Sequence, residues 1–203
     1  MKTFMGLLVI LCALFPTPAN ALLLGPAITV GAGSSFPVGP DSFKDEWNGG
    51  LAVTGALKLK LVPLLSLGIE VGYYRHEHDN DAFASTFPNV SIGGRDLWVI
   101  PVSAVGELTL LGRGSTKPYL RVGVGIYKIG TSDFSASGAG AADLIRDVQA
   151  NDPSETAVGT LVGLGVRTPI ALGIHLFIDA TYHVINSEDG ATQFLPVRAG
   201  IQF

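Results

Sequence analysis

Residues Phe194-Leu-Pro-Val-Arg-Ala-Gly-Ile-Gln-Phe203 decide the fold. Successive side chains of a strand point to opposite faces. Leu195, Val197, Ala199, Ile201 and Phe203 therefore share one side, and Phe194, Pro196, Arg198, Gly200 and Gln202 share the other. The first side is wholly apolar and closes on an aromatic ring, while the second carries a charge and an amide. A strand of a membrane barrel has that form, with its apolar side against hydrocarbon and a terminal aromatic at the boundary with water. Any half-buried strand alternates, so the reading depends on the rest of the chain.

The opposite end supports it. Lys2 is followed by the apolar run Phe4 to Phe15 and by the small-residue site Ala19-Asn20-Ala21, the three parts of a secretory signal. The run is about a dozen residues, short of the roughly 20 that a spanning helix needs. Cleavage is expected after Ala21, leaving a signal peptide over 1–21 and a single barrel domain over 22–203. The sole cysteine, Cys12, lies inside the signal and follows Leu11 rather than the small residue a lipid-attached cysteine requires. Disulfides and thiolate metal sites are thereby excluded from the mature chain.

Beyond the signal no apolar run is long enough for a spanning helix, yet 47% of residues are hydrophobic and only 15% are charged. A water-soluble domain needs more polar surface, whereas a chain whose exterior faces lipid does not. The net charge of −4 supplies no basic footprint for nucleic acid.

Eight segments of period 2 are expected at 27–36, 50–61, 65–76, 96–110, 118–130, 156–168, 173–185 and 194–203. Short connections, Val62–Leu64, Leu111–Lys117 and Pro169–Leu172, alternate with longer ones, Pro37–Gly49, Glu77–Arg95, Thr131–Glu155 and Asn186–Gln193. That alternation describes an all-β, eight-stranded antiparallel up-and-down transmembrane barrel, with short turns on the periplasmic side and long loops outside the cell. Lys58, Lys60, Glu70, Glu107, Arg121, Asp179 and Arg198 each take the face opposite their strand's apolar one, except that Glu107 shares a face with Leu97, Val99 and Val105. A basic residue at mid-bilayer on the lipid side costs about 2–4 kcal/mol, so the charged face is the lumen. Arg75 and Lys128 lie near strand ends, where they can reach the headgroups. A lipocalin-like soluble barrel would put its apolar face inside, and would have no reason to set Phe36, Tyr73, Trp98 and Tyr182 as an outer girdle at the loop ends.

On these residues the chain resembles the small eight-stranded outer-membrane β-barrel proteins, the family of the OmpA transmembrane domain and the OmpX-like barrels. The resemblance implies an outer-membrane location, contact with outer-membrane lipid, and insertion by the outer-membrane assembly machinery, which reads a terminal strand such as the one ending at Phe203. The OmpA type carries a peptidoglycan-binding domain after its barrel. None follows Phe203 here, so a cell-wall tether is not expected.

Glu107 is expected opposite Arg121, and Asp179 near Arg198, as ion pairs plugging a lumen only just wide enough for its own side chains. Together with Lys58 and Glu70 they form the expected lumen charge network. The alternative is a gate for small ions that works by exchanging partners. His76-Glu77-His78-Asp79 offers imidazoles and carboxylates suited to a divalent metal, but no further ligand is identifiable, so a solvated loop is expected. His183, Ser187 and Glu188 invite comparison with lipid-deacylating outer-membrane barrels, whose His and Ser stand two apart on one face; here they stand four apart. Leu144, Ile145 and Val148 could line a short helix over the barrel mouth. The expected protein is a monomeric, porin-like but non-enzymatic barrel without cofactor, serving envelope integrity or adhesion through its loops. A narrow ion channel and a lipid A or phospholipid-processing enzyme are the alternatives.

Overall fold

The computed structural model describes residues 25–78, 90–93, 96–110, 115–132, 135–138, 154–187 and 190–203. Strands β1 (Pro26–Gly39), β2 (Gly50–Val62) and β3 (Leu65–Glu77) are followed by the short β4 (Val90–Gly93), then β5 (Asp96–Thr109) and β6 (Lys117–Thr131). The short β7 (Ser135–Gly138), β8 (Glu155–Ala171), β9 (Ile174–Ser187) and β10 (Gly190–Gln202) complete the order. All but β4 and β7 form one closed antiparallel barrel in the order β1-β10-β9-β8-β6-β5-β3-β2. The eight expected segments are these eight strands, with ends displaced by a few residues. The candidate signal lies outside the described residues.

Closure joins the first and last strands of the barrel. β1 pairs with β10 from Thr29↔Gln202 to Gly39↔Gln193, and Ile28 and Phe203 exchange backbone hydrogen bonds of 3.1 and 2.9 Å. The start of β1, the end of β10 and the strand ends flanking the short connections therefore lie at one end of the barrel, the turn end. At the Leu172–Gly173 turn, Gly173 has a φ of +77°, a conformation that side chains disfavour.

Alternation sets the two faces. Outside, Ile69, Val124, Ile126 and Leu164 are exposed, while inward Val99, Tyr127 and Ile185 are fully buried. β5, whose faces the sequence left mixed, turns Leu97, Val99, Val105 and Glu107 inward and Ile100, Val102 and Leu108 to lipid. Its inner face is apolar near the loop end because it packs there against a layer of rings, and charged near the turn end.

At the loop end three features depart from expectation. Helix α1 (Asp41–Glu46) follows β1 and buries Phe43, and with Trp47 it lies against the inner layer of rings. β4 and β7, one from each long connection, pair as a separate two-stranded sheet. The expected long connection Asn186–Gln193 is mostly strand, since β9 and β10 stay in register as far as Ser187↔Gly190. Ser187 Oγ donates to Gly190 O at 2.7 Å and helps hold the two strands together there.

Candidate functional site

The lumen is the candidate site, and it is filled in layers. Narrow closure forces this: inward side chains of eight strands meet near the axis. Glycines leave the room. A Cβ on Gly159 would lie 2.7 Å from Tyr127 Cε2, and one on Gly163 would lie 2.8 Å from Thr181 Oγ1. Small residues on β8 thus accommodate Tyr127 from β6 and Thr181 from β9.

The middle layer is a square of two acids and two arginines. Arg121 Nη2 donates to Glu70 Oε2 at 2.7 Å and its Nη1 to Asp179 Oδ2 at 3.0 Å. Arg198 holds Asp179 with Nε and Nη2 at 2.9 and 3.0 Å, a two-point fork. Arg198 Nη1 also lies 3.3 Å from Glu70 Oε2 and donates to Thr54 Oγ1 at 2.7 Å. Tyr119 OH donates to Asp179 Oδ2 at 3.0 Å. All four charged groups are buried.

Next to it, toward the turn end, Glu107 is held by Lys58 Nζ at 2.6 Å and by Arg167 Nη2. Arg167 also stands over the ring of Tyr119, 4.9 Å from its centroid. Glu107 and Arg121 are register neighbours as expected, but the expected ion pair between them is not made. Each takes partners elsewhere, because a long side chain in a narrow barrel reaches across the lumen as readily as sideways. Asp179 and Arg198, also in register, do pair. Lys60, read as a lumen residue, is exposed at the turn-end rim.

Toward the loop end the filling becomes aromatic. His183 stacks on Phe194 with centroids 4.7 Å apart and planes 10° apart, and Tyr127 OH is 2.9 Å from His183 Nδ1. Tyr74 meets both His183 and Phe194. His76, buried 3.3 Å from Ser35 Oγ, touches Phe194 and Phe43 edge-on. Trp47 bridges to His78 through the backbone and packs on its ring. The two imidazoles read as possible metal ligands are thus parts of an aromatic packing. Among the described residues no cluster suited to a metal is present, and Asp79 lies outside them.

The sequence contained the sign for this layer, because Tyr74, Tyr127, His183 and Phe194 all fall on lumen parity. Arg167 falls on the same parity and extends the expected charge network through Glu107. His183 is buried against Tyr127, while Ser187 Oγ is engaged with Gly190, so the described part of the candidate catalytic set is not assembled. Glu188 and the 144–148 stripe lie outside the described residues. Of the rim charges, Arg75 pairs with Asp96 at 2.6 Å and Lys128 stands 5.9 Å from the Trp98 ring centroid. Phe203 projects from the exterior.

A family model described as outer membrane protein beta-barrel domain matches residues 5–203. Among solved structures, Neisserial surface protein A is similar at 14% identity, with a TM-score of 0.58 over 87% of this chain and 95% of that one. The outer membrane protein OprG from Pseudomonas aeruginosa is similar at 11% identity, with a TM-score of 0.52 over 88% and 95%. No curated protein sequence matches the chain. A closed barrel with an apolar exterior agrees with the match along its length: the chain belongs to the outer membrane protein beta-barrel domain family and resides in the outer membrane.

Proposed function

We propose that this protein is a non-enzymatic, monomeric structural protein of the cell surface, whose loops serve envelope integrity or adhesion. One observation carries the reading: the lumen is occupied in succession by the Glu107 clamp, the Glu70–Arg121–Asp179–Arg198 square and the His183–Phe194 rings. A solute crossing it would have to break buried ion pairs and then displace packed rings. Breaking one buried pair costs about 3–5 kcal/mol. At the loop end, α1 and the separate β4–β7 sheet lie outside the eight-strand wall and offer a surface for interaction.

Single-channel recording in planar bilayers tests it. The expected result is no stepwise conductance, and discrete openings would favour the narrow channel instead. Replacing residues 79–95 and 133–153 with short linkers should leave the barrel in the membrane and remove attachment of cells to host or abiotic surfaces. Lipid A of unchanged mass in cells with and without the protein is expected, and a lost acyl chain would overturn the non-enzymatic reading.

A further inference from the structure

The turn-end mouth holds a cavity of about 370 Å³ whose charge is one-sided. Lys58, Lys60, Lys117, Arg167 and His175 line it, and among the described residues no carboxylate does. Two of these lining residues, Lys58 and Arg167, clamp Glu107 inside the barrel. At the seam one oxygen of the Phe203 carboxyl accepts the Ile28 N–H at 3.1 Å, and Phe203 does not line the cavity. Two of the cavity's own polar atoms, Arg167 Nε and His175 Nδ1, are buried and hydrogen-bond to no described residue. Burying such a group without a partner is costly, so an incoming acceptor is favoured there.

The deep lumen is close to electrically balanced by its pairs. The mouth is not. A concave, low-dielectric wall carrying charges of one sign concentrates ions of the opposite sign. Arg167 offers part of a planar fork, Lys60 and Lys117 offer point charges at the rim, and His175 adds a ring nitrogen. Pro63, Leu64 and Leu110 supply an apolar side wall for an organic group.

From this we infer a binding site for a phosphate-bearing anion at the turn-end mouth, entered from the periplasm and closed at its inner end by the Glu107 clamp. The phosphate would sit between Lys60, Lys117 and Arg167, with its substituent against Leu64 and Leu110. The Glu107 clamp makes it a dead-end site rather than the entrance to a channel. The site is independent of any role of the loops, which lie at the other end of the barrel.

Calorimetric titration of the folded protein in an uncharged maltoside with inorganic pyrophosphate tests it. Saturable one-site binding is expected, weakening at least tenfold in the Lys60→Gln/Lys117→Gln double variant and as salt is raised. Lys44→Gln, at the loop end, should bind as the parent does. Both lysines are exposed at the rim, and the heat-dependent gel mobility of the variants verifies that the barrel is intact. Absence of saturable binding, or equal binding by the double variant, overturns the site. A second arm uses the protein in phosphatidylcholine nanodiscs with and without phosphatidylglycerol. Loss of pyrophosphate binding on adding phosphatidylglycerol assigns the phosphate to a lipid headgroup, and retained binding assigns it to a soluble ester.

Discussion

Glu107 and Arg121 stand directly opposite one another across β5 and β6, and neither uses the other as its ion-pair partner. Glu107 turns to Lys58 and Arg167, while Arg121 turns to Glu70 and Asp179. Register fixes which backbones are neighbours, whereas the lumen lets long side chains choose among several strands.

Stability should follow the ion pairs rather than the register. In double-mutant cycles, Glu107→Gln with Lys58→Met and Glu70→Gln with Arg121→Met should each be coupled, the double variant being milder than the sum of the singles. Each single change leaves a buried charge short of a partner, at a cost of about 3–5 kcal/mol where desolvation is complete. Glu107→Gln with Arg121→Met should be coupled less strongly than either ion-paired set. Urea unfolding in detergent reads the outcome, and a Glu107–Arg121 coupling larger than the Glu107–Lys58 one would refute the partner assignment.

Glycines on the two faces should respond oppositely. Gly159→Val would bring a Cβ to 2.7 Å from Val184 O, a backbone atom that cannot move cheaply. Overpacking of this kind costs about 1–3 kcal/mol or more. Gly55 faces outward with nothing within 4 Å of an added Cβ, so Gly55→Val should be neutral or better. Equal folding yields for the two variants would contradict the assignment of faces.

Removing the ring at the centre of the aromatic layer should be severe. Phe194 is fully buried between Tyr74, His76 and His183. Phe194→Ala should destabilise by about 3–5 kcal/mol. Phe203→Ala should cost little in refolding experiments, because Phe203 is exposed and its hydrogen bonds to Ile28 are made by backbone. In cells the order should reverse for assembly: loss of the Phe203 ring should lower the outer-membrane yield if the terminal strand is the assembly signal. Normal yield would remove Phe203 from that role.

Orientation is checked by labelling whole cells with a membrane-impermeant maleimide. A cysteine at exposed Ser154, on the loop side, should react, and one at Ser115, beside a short turn, should not. The reverse pattern would place the loops in the periplasm.

The barrel was legible because each strand's alternation is local: Leu67, Ile69 and Val71 announce an outer face without reference to any other strand. Burial of Lys58, Glu70, Arg121, Asp179 and Arg198 follows from the same parity, whereas on β5, whose two faces are mixed, parity alone does not place Glu107. The ion-pair partners do not follow from it, apart from Asp179–Arg198, because Arg121 finds Glu70 across the lumen, a distance that parity does not encode. Helix α1 is too short to show a period, and what stabilises it is the burial of Phe43 and Trp47 against the ring layer. The ring layer is written in the same parity, since Tyr74, Tyr127, His183 and Phe194 all alternate inward, but alternation alone does not say that inward rings will pack on one another.

The β1–β10 seam constrains how this barrel can enter a bilayer. Until Thr29 meets Gln202 and Phe36 meets Leu195, two strands carry rows of unanswered N–H and C=O groups, and in hydrocarbon each such group costs several kcal/mol. A seven-strand sheet is therefore not a resting state in lipid. Either all strands insert together, or some other surface lends its own strand edge to β1 until β10 arrives. In the second case release requires β10 to compete that edge away, so the pairing strength of β10 sets how quickly the finished protein departs.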